Sequence, residues 1–319
     1  MKLVILDGYA ENPGDLSWDA LASFVDEYEV YDITKPEEIL ERSAGADILV
    51  TNKTPITRET IESLPSLKYI AVLATGFNVV DCKAAREREI PVSNIPAYST
   101  DGVAQLVFAL LLELTNHVAA HSESVHSGEW ESSPHFCYTK TPLAELSGKT
   151  FGIIGFGRIG FAVAEIANAF KMRVLAFSPH THTYGGFGSV EFCSLEKLIK
   201  ESDVISLHCP LNESTNGLVD KDFLSKMKTS AFLINTSRGP VINEKDLFDA
   251  LENKTIAGAG LDVLSQEPPK NGNVLIKAKN CIITPHIAWA SFEARTRLLN
   301  IFLKNVENFV AGTPQNVVN

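Results

Sequence analysis

Short apolar runs rich in Val, Ile and Leu alternate along the chain with longer stretches in which apolar residues return every three or four positions. That pattern predicts strands buried on both faces with helices packed over them, the signature of parallel sheets and an α/β fold. The first hundred residues hold five strand candidates, LVILD (3–7), YEVYD (28–32), ADILVTN (46–52), YIAVLA (69–74) and PVSNI (91–95). A second series follows: FGIIG (151–155), RVLAFS (173–178), DVISLHC (203–209), AFLINTS (231–237), GAGLDV (258–263) and CIITP (281–285). A five-stranded unit and a larger sheet are therefore expected.

Between the two series, TDGVAQLVFALLLELTNHVAAHSE (100–123) has no proline and an apolar middle that runs nearly all round, which predicts one long buried helix. Such a helix would bridge two domains or bury itself in a second subunit. The final stretch, 291–312, carries Leu298, Leu299, Phe302, Val306 and Phe309 at helical spacing. Lying beyond the last strand of the second sheet, it is expected to return to the first unit. The expected organisation is then a discontinuous domain of 1–99 plus 288–319, with a second domain, 100–287, inserted into it.

Composition agrees with two folded domains: 319 residues, 45% hydrophobic and 21% charged. A net charge of −11 without a basic run argues against nucleic acid as a partner. The start, MKLVILDGYAEN, has too short an apolar run for a signal core or a membrane span, so the expected location is cytoplasmic, with no membrane contact. Cys82, Cys137, Cys193, Cys209 and Cys281 are odd in number and widely spaced, which predicts reduced, mostly buried thiols rather than disulfides. His180 and His182 have no further ligands nearby, so they read as a solvated loop, and no metal is expected.

GFGRIG, with Gly155, Gly157, Arg158, Ile159 and Gly160, follows one strand candidate and opens a helical stretch. A lone GxGxxG is weak, but in this strand-to-helix context the three glycines permit a tight turn, close approach of a pyrophosphate and helix packing. The next strand ends at VLAFSPH, where Ser178 stands in place of a carboxylate that would hold a ribose hydroxyl and repel a 2′-phosphate. Residues 179–183 add no arginine. NAD(H) is therefore the favoured coenzyme and NADP(H) a possible one.

Three further strands of the second series end in chemistry-bearing residues: Arg238 in NTSRG, Asp262 and Glu267 in LDVLSQEP, and His286 in TPHIAWAS. Singly they read as a surface ion pair, a solvated loop acid, and a helix cap or core histidine. Together, at the carboxyl ends of strands in one open sheet, they can converge on a ligand. A carboxylate beside an imidazole favours its protonated form, and a guanidinium offers a planar fork to a carboxylate or keto oxygen. That set supplies an anchor, a polariser and a proton source for reducing a 2-keto acid.

Taken in order, GFGRIG, LHCPLNEST, INTSRGPVIN, AGAGLDVLSQEP and TPHIAWAS make the chain resemble the D-isomer-specific 2-hydroxyacid dehydrogenases over essentially its full length. The resemblance implies two Rossmann-like domains, a coenzyme domain inserted into a discontinuous catalytic domain, an active site in the cleft and a homodimer. It assigns Arg238 to the substrate, His286 as acid and base, Glu267 as its partner, and Asp262 to the nicotinamide end, with further coenzyme contacts at His208 and Thr236. Ala74, Thr75 and Gly76 in LATGFN look like the loop that receives a substrate carboxylate, the alternative being a plain glycine turn.

DGYAENPGDLSW, LATGFNVVD and HIAWAS are most similar to the glycerate dehydrogenase (hydroxypyruvate reductase) branch, which implies reduction of hydroxypyruvate or glyoxylate. Two departures stand out. Ala288 and Trp289 follow the histidine where many members have small residues, and Gln105 stands where many have Glu, which leaves substrate size open. The competing reading is a dinucleotide-sensing binding protein of the corepressor kind; the lack of a long disordered tail in this chain speaks against it.

Overall fold

Along β1 (Lys2–Ile5), Leu3 and Ile5 point to one side of a sheet and Val4, with Leu6 just beyond, to the other, all at 0% exposure. Such two-sided burial requires cover on both faces. The computed structural model, which describes residues 1–179 and 189–319, supplies it in each of two units, Met1–Ser99 with Trp289–Asn319, and Thr100–Ala288. In the first unit β1 joins β2 (Glu27–Val30), β3 (Ile48–Thr51), β4 (Tyr69–Val72) and β5 (Val92–Ser93), all parallel, in the order β2-β1-β3-β4-β5.

One face of that sheet is covered by the C-terminal helix Phe292–Val310. Leu298, Phe302 and Val306 are fully buried against Leu3, Ile48 and Tyr69, and the Tyr69 ring stacks on Phe309 at 4.3 Å. Each such side chain contributes roughly 1.5–3 kcal/mol by leaving water, which explains why the chain returns after its second unit. Ser291 caps the helix by accepting the Ala294 N–H. Arg295, nearly buried, forks onto Asp15 at 2.7 and 2.6 Å and also donates to the Glu11 carbonyl, tying the segment after β1 to the start of this helix.

Glu11 itself is only 1% exposed, and neither carboxyl oxygen has a hydrogen-bond partner among the described residues. Burial, reinforced by the Asp7 carboxylate and opposed by Lys53 and Arg295, pushes its pKa well above the ordinary carboxylate range. The folded chain thus keeps a proton that the unfolded chain releases near pH 4.5. Stability from this site is complete below that pH and declines as pH rises toward the folded value. Glu11→Gln should therefore raise Tm at pH 8 and flatten the Tm-against-pH curve above pH 5; a lowered Tm at both pH values would contradict this.

In the second unit β6 (Thr150–Ile154), β7 (Arg173–Phe177), β8 (Val190–Phe192), β9 (Val204–Leu207), β10 (Phe232–Asn235), β11 (Gly258–Leu261) and β12 (Cys281–Ile283) form one parallel sheet. Its order is β12-β11-β10-β9-β6-β7-β8. The chain runs outward from β6 in one direction and then resumes on the other side at β9, so the strand order switches between these two. Both units are Rossmann-like, and the second interrupts the first.

Several expectations change at this level. The stretch 100–123 is two helices, Thr100–Asn116 and Val118–His126, broken at His117, whose φ of 47° is left-handed, and bent by 56°. The first seats on β11, where Gly258 and Gly260 leave room; a Cβ at Gly260 would lie 2.9 Å from that of Leu110. Most of its apolar residues are thus consumed by its own unit. Among the described residues no single helix is long and apolar enough to cross a membrane. The edge strand β8 was not expected, since VEF is three residues long with Glu191 and Phe192 exposed. All five cysteines are free, but only Cys209 is buried; Cys82, Cys193 and Cys281 are half-buried and Cys137 is exposed, because they sit at element ends and in loops. His180 and His182 lie outside the described residues.

Candidate active site

The β6-to-helix turn is built by its glycines. Gly155 has a φ of 93° and packs so tightly on β9's exit that a Cβ would come within 2.6 Å of the His208 carbonyl carbon and the Cys209 nitrogen. At Gly160 a Cβ would run into the Gly155 carbonyl, whereas at Gly157 it would meet nothing within 4 Å. The turn therefore needs no side chain at Gly155 and Gly160 for packing, and at Gly157 it leaves open space before the helix Arg158–Ala169. Gly157 is its N-cap and provides no side-chain cap, so the first N–H groups face outward with the positive end of the helix.

Arg158 is exposed at that end and Ile159 half-buried. Beside the turn, His208 bonds Ser206 Oγ through Nε2 at 2.9 Å, and burial pushes its pKa down to about 3, so the ring is neutral at any ordinary pH. Thr236 is buried with a hydroxyl that has no partner among the described residues. Ser178 sits half-buried just past β7. An open glycine turn, an uncapped helix start and an orphaned hydroxyl fit a dinucleotide.

Past the end of β10, Arg238 is exposed and forms no ion pair among the described residues; Nη1 donates to the Ser237 carbonyl at 2.7 Å. Asn235 steadies the turn by bonding the Arg238 carbonyl and the Ser237 N–H and hydroxyl. Past β12, His286 has a φ of 56°, a left-handed backbone that costs a histidine on the order of 1 kcal/mol or more. What holds it there is Asp262, past β11. This carboxylate, 1% exposed, accepts from Thr284 Oγ1 at 2.6 Å and from the N–H groups of Ile287 and Ala288 at 2.9 and 2.8 Å. Its pKa is nonetheless raised, because burial outweighs those bonds.

Glu267 completes the group: Oε2 lies 2.6 Å from His286 Nδ1 and Oε1 accepts the Leu264 N–H at 2.9 Å. With Nδ1 engaged by the carboxylate, Nε2 is the nitrogen left for a reacting group. In the first unit, the loop after β4 carries Ala74, Thr75 and Gly76. Thr75 Oγ1 donates to the Ile95 carbonyl at 2.8 Å, Asn94 Nδ2 to the Thr75 carbonyl at 2.7 Å, and the Ile95 N–H to the Ala74 carbonyl at 3.0 Å. The Thr75 and Gly76 N–H groups make no hydrogen bond among the described residues, which leaves them for an anion.

Residues 108–288 match the family description "D-isomer specific 2-hydroxyacid dehydrogenase, NAD binding domain". The chain is 50% identical over 322 residues to a hydroxypyruvate reductase of Blautia hydrogenotrophica, with the whole of both chains covered. The chain belongs to the D-isomer-specific 2-hydroxyacid dehydrogenases. It is also 45% identical to a glycerate dehydrogenase of Methylorubrum extorquens, covering 93% of each chain. Two solved structures share the fold. An acyclic imino acid reductase, Bsp5, in complex with NADPH and D-Arg has a TM-score of 0.86 at 35% identity, each chain covered fully. The D-lactate dehydrogenase of Aquifex aeolicus, complexed with NAD and lactic acid, has a TM-score of 0.81 at 29% identity, covering 98% of this chain and 96% of that one.

The chain is a 2-hydroxyacid oxidoreductase with an NAD-binding domain, and the structure brings Arg238, Asp262, Glu267 and His286 to the ends of β10, β11 and β12. Trp289, left open by the sequence, packs edge-to-face on Tyr98 in the first unit's core at 6.3 Å. Gln105 is exposed on its helix. The sequence reading missed Thr284, which bonds Asp262, and the clamp that Asp262 makes on the histidine turn. The TPH tripeptide was in view, but a hydroxyl two residues before a histidine carries no signal until a left-handed turn folds it back.

Proposed function

We propose that this dehydrogenase reduces hydroxypyruvate, and glyoxylate less well, to D-glycerate and glycolate, using NAD(H) by preference. The observation that carries the reading is the 2.6 Å contact between His286 Nδ1 and Glu267 Oε2. The coenzyme, when bound, supplies the hydride that reaches C2 of the keto acid. Arg238 directs its fork to the substrate carboxylate and keto oxygen, and the open N–H groups of Thr75 and Gly76 make the loop after β4 the first unit's own candidate for a carboxylate. His286 gives the Nε2 proton to the keto oxygen as it becomes a hydroxyl, and keeps the Nδ1 proton shared with Glu267. Gly155, Gly157, Gly160 and the helix start hold the pyrophosphate, while Arg158, Ile159, Ser178, His208 and Thr236 line the coenzyme and Asp262 fixes the turn beside it.

The relatives named hydroxypyruvate reductase and glycerate dehydrogenase favour the three-carbon substrate. The absence of a carboxylate at Ser178 removes the repulsion of a 2′-phosphate, so discrimination between coenzymes should be modest. A panel of 2-keto acids with NADH and NADPH tests both points. The expected order in kcat/KM is hydroxypyruvate, glyoxylate, pyruvate, with NADH ahead of NADPH. A higher value for pyruvate or a branched keto acid would overturn the substrate, and an NADPH preference above about tenfold, roughly 1.4 kcal/mol, would overturn the coenzyme.

We also infer a homodimer and a cytoplasmic location. In the second unit Val118, Val125, Trp130, Phe136 and Leu143 are exposed, Phe136 at 90%, beyond the helix whose own apolar residues are already packed. Exposed apolar side chains concentrated in one segment are what a subunit contact covers. Sedimentation should give twice the 34.8 kDa chain mass; a fully active species at the single-chain mass would contradict it.

A further inference from the structure

We propose that Glu244 is a positioning residue for proton transfer, whose carboxylate registers the loop 264–273, and with it Glu267, against the Arg238 turn. The inference rests on the reading of His286 as proton donor. Glu244 is the first residue of the helix Glu244–Glu252, six positions after Arg238. Its Oε1 accepts the Ser265 N–H at 2.7 Å, and Oε2 accepts Ser265 Oγ at 2.6 Å and Asn273 Nδ2 at 2.8 Å. One carboxylate thereby grips both ends of a loop whose middle carries Glu267.

The loop has little else to hold it. Past Leu264, which is buried in the core, Ser265, Gln266, Glu267 and Pro268 are all exposed, with no regular secondary structure and no further core side chain until Leu275. An irregular, solvated segment of this kind is set by its polar ties rather than by burial. The tie at Glu244 is also directional. Asn273 Oδ1 accepts the Leu275 N–H at 2.9 Å, which fixes the amide so that its Nδ2 can face only an acceptor. A second contact points the same way: Gly239, next to Arg238, lies with its backbone against that of Leu264 and Ser265, where a Cβ would collide with both. From Ser265 the register passes to the neighbouring Leu264 N–H, which Glu267 Oε1 accepts, and from Glu267 Oε2 to His286 Nδ1.

Two plainer roles for Glu244 are already filled or absent. The helix is capped by Asn243, whose side chain accepts the Asp246 N–H, so Glu244 is not its cap. Among the described residues it forms no ion pair, so its charge is directed at the loop's donors alone. Glu267 holds the His286 ring at Nδ1, so a displaced Glu267 should alter proton donation and with it the pH dependence of reduction.

The test compares the pH dependence of kcat/KM for hydroxypyruvate reduction in wild type, Glu244→Ala, Glu244→Gln, Glu267→Gln and His286→Ala, with NADH affinity read by fluorescence. Glu244→Ala should lose between about tenfold and 10²-fold in kcat, shift the pH profile in the same sense as Glu267→Gln does, and bind NADH unchanged. Glu244→Gln, which keeps one acceptor oxygen, should recover part of the loss. The double variant Glu244→Ala/Glu267→Gln should be no slower than Glu267→Gln alone, since both act through one pair.

A wild-type pH profile in Glu244→Ala, or multiplicative losses in the double variant, would overturn the inference. If Glu244→Ala does not fold, the Ser265→Ala/Asn273→Ala pair removes two of the three donors and must show the same shift; an unmoved profile there overturns it equally. Near-wild-type turnover in His286→Ala would instead overturn the proton-donor reading, whereas a crippled His286→Ala beside an unshifted Glu244→Ala would sink the Glu244 role alone.

Discussion

His286→Ala is expected to lose about 10²- to 10⁴-fold in kcat for ketone reduction, the usual contribution of a positioned general acid, while its affinity for NADH stays near that of wild type. The separation follows from where the groups sit. The glycine turn and helix start that fit the pyrophosphate follow β6, whereas His286 follows β12, at the far edge of the same sheet. Its ring is committed at Nδ1 to Glu267 and its backbone to a left-handed turn clamped by Asp262. A strained histidine held by two carboxylates is costly to build for a purely structural purpose. Turnover near the wild-type rate would remove His286 from the chemistry.

Arg238→Lys should lose on the order of 10²-fold in kcat/KM, as removal of a preorganised donor to a developing oxyanion does, with KM raised as well as kcat lowered. Charge is conserved in this substitution, so a point-charge role predicts little change. The guanidinium is exposed, without an ion-pair partner among the described residues, and spends one Nη1–H on the Ser237 carbonyl. The remaining planar donors are what lysine cannot reproduce. Steady-state kinetics indistinguishable from wild type would assign Arg238 to solvent contact.

The sheets were legible because buried parallel strands must be apolar on both faces, and LVILD, ADILVTN, YIAVLA and AFLINTS carry that demand in their composition. The return of the C-terminal helix was legible for a similar reason: Leu298, Phe302 and Val306 make a stripe that needs a sheet, and the first unit's β1, β3 and β4 present one. Local conformation was less so. Nothing in TNHVAA announces that His117 turns left-handed and ends a helix there, since histidine, though enriched in that region, is still found mostly outside it. The three-residue β8 escaped because an edge strand needs little apolar surface.

At the candidate site, residue types that imply chemistry by themselves, Arg238, Glu267, His286 and the glycines, could be read from the chain in order. Residues that act through geometry could not. Asp262 was placed by resemblance at the nicotinamide, yet its three hydrogen bonds to the histidine turn depend on β11 and β12 lying side by side. Glu244 sits in NEKDL, an ordinary polar helix start, and its grip on Ser265 and Asn273 exists only once those residues fold back over it.

Reduction of hydroxypyruvate with NADH dideuterated at the nicotinamide C4, followed by analysis of the product, tests the central claim most directly. The account predicts D-glycerate carrying one deuterium at C2, with its hydroxyl proton drawn from solvent through His286. Glycerate without deuterium at C2, or the L-isomer, would contradict it.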